Sequence, residues 1–273
     1  MENRQDADIA TFLSNGLVTY LYKDRNADCA NTIDRLKELY DRFTNNDSIA
    51  SSYARGLCFL TSLNDDELGK NAVDELEDLY NGHPACQDIV TCLVNGIHNM
   101  ARNKGVREHI VAIERLGAIR QENPNNIEVV LRLMSRLGNL LRIQNPKDSG
   151  GIIDQINRIY SGYSEIEQVQ KTYAATLVTA SSVQSSESEI RKTLSNFQMI
   201  LNDHPDDNEI LLSYALIIYN LAFIQETPKR NESIEELKRF FAEHPSVSAG
   251  FRDYLHGLVN IHRYEKPEFQ KLI

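Results

Sequence analysis

An apolar pattern that returns every 40 residues limits what this chain can fold into. Ile33-Leu36-Leu39-Tyr40 recurs as Val73-Leu76-Leu79-Tyr80, Ile113-Leu116-Ile119, Ile153-Ile156-Ile159-Tyr160, Leu194-Phe197-Ile200-Leu201 and Ile234-Leu237-Phe240-Phe241, with one step of 41 at Leu194. About twenty residues after each start comes a second stripe: Tyr53-Leu57-Leu60, Leu93-Ile97-Met100, Leu133-Leu137-Leu140, Tyr173-Leu177-Ala180, Tyr214-Ile218-Leu221 and Tyr254-Leu258-Ile261. Both stripes have helical spacing, so the repeating unit is a helix pair. A pair of short amphipathic helices cannot bury its apolar face alone, whereas stacked pairs share one continuous core. The period predicts an all-α fold: an α-α superhelix (solenoid) of about six antiparallel helix pairs plus a terminal helix, forming one elongated repeat domain over residues 1–273.

Turn residues fall where this unit needs them. His83-Pro84, Asn123-Pro124, His204-Pro205 and His244-Pro245 close the first kind of helix, since proline cannot continue one. Asn125-Asn126, Asp206-Asp207-Asn208 and Ser246 then offer caps to the free amides of the next helix. Ser186-x-x-Glu189 and Ser233-x-x-Glu236 have capping-box spacing and are expected to start helices of the first kind. Gly16, Gly56, Gly96 and Gly257 share one position in the other helix. A glycine in mid-helix costs about 1 kcal/mol against alanine, so its recurrence points to a slot where neighbouring helices pass closely. The expected pairs, helix A then helix B, are 8–23 with 30–44, 48–62 with 67–82, 86–102 with 106–122, 126–143 with 149–162, 166–182 with 186–202 and 207–224 with 231–243, followed by a last helix A over 247–263.

In these features the chain resembles the tetratricopeptide repeat (TPR) superfamily, with an extended unit of 40 residues. The likeness lies in an aromatic or leucine three residues ahead of a small-residue/leucine pair in helix A and in a helix B that ends in proline, and Met134-x-x-Leu137-Gly138-x-x-Leu141 matches the family pattern most closely. The usual unit is about 34 residues and carries a tryptophan that is absent here. HEAT and armadillo units are nearer in length, but the prolines close helix B rather than interrupt helix A, which favours the TPR reading. The resemblance implies that helix A lines a concave groove whose polar positions meet a peptide or protein segment.

Composition narrows the function. No run of 18 apolar residues exists, and the N-terminus is polar and acidic where a signal peptide needs a basic start, so the expectation is a cytoplasmic protein with no membrane association. Cys29, Cys58, Cys86 and Cys92 form no C-x-x-C pair and read as reduced, largely buried thiols. A net charge of −10 argues against general nucleic-acid binding. The motifs of phosphate loops, dinucleotide sites, zinc sites and nucleophile elbows are all missing, so no catalytic residue, metal or cofactor is assigned. His83, His204 and His244 repeat one position, at least one unit apart, and read as helix C-terminal residues facing the final carbonyls. The acidic pairs Asp65-Asp66, Asp206-Asp207 and Glu235-Glu236 read as caps and exposed helix starts.

Charge is unevenly spread. Residues 101–142 carry eight basic side chains against four acids. Asn99, Asn139, Asn220 and Asn260 share one position on helix A, and Arg102, Arg142 and Arg263 another, three residues on. Positions three apart share a helical face, so these residues, with Asn95 one turn earlier, are the groove candidates: arginine grips carboxylates and asparagine pairs with extended backbone. The alternative is that the asparagines bond across the helix interface and the arginines sit near the helix ends. Arg136 falls where other repeats have glycine: either it is semi-buried beside an acid, or the helix is shifted by one residue so that Leu137-Gly138 takes the slot, and the shift is the simpler expectation. The functional expectation is a non-enzymatic scaffold that binds an acidic peptide or protein. The alternatives are a ligand- or peptide-responsive sensor and a structural subunit assembling through its convex face or its open C-terminal end. There the stub Lys266 to Ile273 is a candidate cap or self-association surface.

Overall fold

In a computed structural model, residues 4–24, 28–63, 65–144 and 149–251 are described, and every regular element among them is an α-helix. The helices are α1 Arg4–Lys23, α2 Cys29–Arg42, α3 Asp47–Thr61, α4 Asp66–Gly82, α5 Gln87–Met100, α6 Val106–Glu122, α7 Ile127–Ile143, α8 Ser149–Ser161, α9 Glu167–Val183, α10 Glu187–Asp203, α11 Asn208–Ile224 and α12 Thr227–Glu243, with the start of α13 over 245–251. This is the all-α helix-pair array that the period predicts. Its contacts gather into two units, Met1–Arg136 and Leu137–Ile273, divided within α7.

In the first unit the odd helices form the spine. α3 packs on α1, α2, α4 and α5, and α5 also meets α4 and α6. The two stripes explain this order. Ile33 and Leu36 of α2, Val73, Leu76 and Leu79 of α4, and Ile89, Leu93 and Ile97 of α5 are all buried. Each such side chain contributes about 1.5–3 kcal/mol relative to an exposed one. The glycine slots are visible at Gly56, where a Cβ would stand 2.6 Å from Ile33 Cδ1 and 2.9 Å from Leu36 Cδ1, and at Gly96, 3.1 Å from Leu76 Cδ1. In both cases an odd helix presses its backbone against the preceding even helix. Gly16 has nothing within 4 Å, and Gly257 lies outside the described residues.

The second unit repeats the scheme: α9 meets α8, α10 and α11, and α11 meets α9, α10 and α12. Ala215, Ile218, Ala222, Leu237 and Phe251 belong to one buried cluster in it. The aromatic of the odd-helix motif also recurs as a tie to the following even helix. Tyr53 donates to Glu75, and Tyr214, at the same register, donates to Glu236 at 3.3 Å. Tyr173 instead reaches back to Asn157 at 2.6 Å and stacks on Tyr160. Burial of these phenols holds all three pKa values above the ordinary tyrosine range, Tyr214 up to about 12.

Helix ends match the sequence in part. Asp65, Asp207 and Ser186 cap α4, α11 and α10, and Asn126 accepts from Val129 N–H at 3.4 Å. α12 begins at Thr227 rather than 231, because Pro228 sits in its first turn, where a missing N–H is no loss. Ser233 is therefore no cap: it lies buried within α12 and donates to Gln225 Oε1 at 2.8 Å. α13 likewise starts at 245, and Ser246 donates to Asn208 rather than capping. His83, His204 and His244 do end helices, but their rings turn elsewhere: His83 to Asp47 at 2.8 Å, His204 to Gln170 at 2.6 Å, and His244 onto the Phe240 ring. The expected C-terminal stub lies outside the described residues.

Candidate functional site on helices α5 and α7

α5 and the first turns of α7 bring the basic residues of the first unit together. Arg132 Nε donates to Asn95 Oδ1 at 2.6 Å, and its Nη2 pairs with Glu128 at 2.6 Å. One turn on, Arg136 is 1% exposed, with Nε 3.0 Å from His98 Nδ1 and Nη2 3.1 Å from Nε2. Its buried Nη1 has no hydrogen-bond partner, nor does the buried Nδ1 of His109 on α6. Arg136 thus fills the glycine position rather than ceding it. Gly138 instead faces Thr176 of α9, its Cβ site 3.4 Å from Thr176 Cγ2, so the expected shift of register does not occur. The neighbour is a histidine, not an acid.

This arrangement sets the local electrostatics. Burial first, then the charges of Arg136, Arg132 and Arg102, push the His98 pKa down to about 3, leaving a neutral ring that can accept from the guanidinium. Burial and the other two arginines lower Arg136 itself to about 10, so it stays cationic near neutrality. Three cations therefore act on one imidazole, and among the described residues Glu128 is the one acid paired with any of them.

The sequence candidates divide. Asn99 and Arg102 line one polar cleft of about 420 Å³ with Thr61, Lys104 and Asp66. Asn99 Nδ2 donates to Thr61 Oγ1 at 3.1 Å, while Arg102 is exposed in the turn after α5. In the second unit Asn220 donates to Ser181 Oγ at 2.8 Å, the same contact one odd helix back that Asn99 makes. Asn139 is half-buried and Arg142 exposed near the end of α7. Asn260 and Arg263 lie outside the described residues. His98 and Arg136 were missed as members of the site. The available signal was arginine at a glycine position, with histidine 38 residues earlier on the adjacent odd helix.

No group of three or more possible metal ligands occurs among the described residues, and no helix among them is long and apolar enough to cross a membrane. The chain matches no protein-family model, no curated protein and no solved structure.

Proposed function

We propose that the chain is a non-enzymatic, TPR-like scaffold whose basic face on α5 and α7 binds an acidic peptide or protein segment. The observation that carries this reading is the convergence of Arg102, Arg132 and Arg136 around His98 with one paired acid among them, in a chain of net charge −10. Arg102, exposed in its cleft, supplies a bidentate fork for a carboxylate, and Arg132, held by Asn95 and Glu128 one turn before Arg136, adds positive charge beside it. Arg136 is too buried to touch a ligand and contributes only through its field. Exposed charges steer encounter and fix register, so affinity falls with salt.

Titration of the full chain with acidic peptides, against sequence-matched neutral ones, tests the reading. Arg102→Glu combined with Arg132→Gln abolishes acidic-peptide binding while the helical circular dichroism is kept. Equal binding by the double variant, or equal affinity for neutral peptides, disproves the basic face as the site.

A further inference from the structure

Helix α1 carries the packing face of the repeat with no other described helix against it. Ile9, Leu13, Gly16 and Tyr20 stand forty residues before Ile49, Tyr53, Gly56 and Leu60. In α3 that set is buried, and Gly56 seats Ile33 and Leu36 of α2. In α1 Ile9 is 53% exposed, Leu13 47% and Tyr20 41%, Phe12 beside them reaches 79%, and nothing lies within 4 Å of a Cβ on Gly16.

We propose that this face binds itself: α1 of a second copy of the chain lies antiparallel across it, forming a two-fold dimer. The stripe is self-complementary. Phe12, a projecting ring, and Gly16, an unfilled hole, lie on one face and equidistant from position 14, so in an antiparallel pair crossing there each Phe12 enters the other copy's Gly16 slot. Ile9 falls within one residue of Tyr20 of the other copy on either side. The ends agree in charge as well. Asp6 and Asp8 lie in the first turns of α1 and Lys23 in its last, so the crossing sets each Lys23 near Asp6 of the other copy, with the helix dipoles opposed. The molecule supplies the template: α2 and α3, joined by four residues, pack antiparallel with Ile33 and Leu36 in the Gly56 slot, and the second α1 takes the place α2 holds there. A two-fold contact of this kind uses one patch twice and closes. A single helix pair lies at the small end of protein interfaces, below about 1,200 Å² in total, so the dimer is concentration-dependent, with Phe12 as its aromatic anchor.

Sedimentation equilibrium of the full chain tests the proposal. The wild-type mass climbs from one chain toward two with concentration. Gly16→Leu, which fills the hole where no atom stands in its way, weakens association by at least about tenfold, as does Phe12→Glu, and both variants keep the wild-type helical circular dichroism. Lys23→Glu also weakens the dimer, and adding Asp6→Lys restores it. A wild-type chain that remains a monomer across its whole soluble range overturns the proposal, and so does a dimer that Gly16→Leu and Phe12→Glu leave unchanged. Failure of the charge swap to restore association overturns the antiparallel orientation.

Discussion

Gly96 in α5 and Arg136 in α7 hold the same place in successive repeats and fill it in opposite ways. At Gly96 the backbone closes on Leu76 and Val73 of α4, and the contact is wholly apolar. At Arg136 a buried cation leans on the neutral ring of His98 with its Nη1 unpaired. Both helices nevertheless keep the forty-residue register, with Leu93 and Leu133 alike 1% exposed. The apolar stripes set the packing, and the slot can be given to something else. The forty-residue register therefore does not require a glycine at this position, and the fold has room there for a buried arginine.

The largest expected effect comes from treating the glycine slot as if it were the arginine one. Gly56→Leu drives a side chain into Ile33 and Leu36 and should lower stability by about 3 kcal/mol, read from urea denaturation. Acid separates the two slots next. The unfolded chain takes a proton on His98 near pH 6.5, the folded chain only near 3. Stability is therefore full above pH 6.5 and falls as the pH drops toward 3, by about 2 kcal/mol once partial exposure of the ring is allowed for, and His98→Gln removes this slope between pH 7 and 4. Arg136→Met sharpens the comparison from the other side. A buried charge without an acid partner gives way to an apolar chain of similar length, and stability rises by about 1 kcal/mol while acidic-peptide affinity falls. The smallest effect is Gly16→Ala, where the slot is open: better helix propensity raises stability by about 0.5–1 kcal/mol, against a loss for the same change at Gly56.

The sequence made the helices legible because burial repeats. Ile33, Val73 and Ile113 face inward through the same periodicity that makes them visible, and Asp65 and Asp207 cap where their side chains reach free amides. Legibility ended where one local rule met another. Ser233-x-x-Glu236 satisfies the capping spacing, yet Pro228 already starts the helix and leaves Ser233 inside it. The Asn/Arg alignment placed Asn99 and Arg102 in one cleft, but Asn99 and Asn220 are both bonded across to a neighbouring odd helix, a use that spacing along one helix cannot distinguish from an exposed contact. The His98–Arg136 contact joins residues on two helices, and one-helix patterns do not carry that distance.

The tie between odd-helix tyrosines and their neighbours also gives the molecule an optical signature. With twelve tyrosines and no tryptophan, its near-ultraviolet absorbance and intrinsic emission come chiefly from phenols. Tyr53 in one unit and Tyr173 and Tyr214 in the other are held protonated by burial, with folded pKa values above 10. The stability they contribute is whole below pH 10 and is lost as the pH climbs past it, since the unfolded chain releases those protons first. An alkaline titration followed by phenolate absorbance thus records exposed rings early and buried ones only as their own unit opens, giving each half of the chain a built-in reporter of its own loosening.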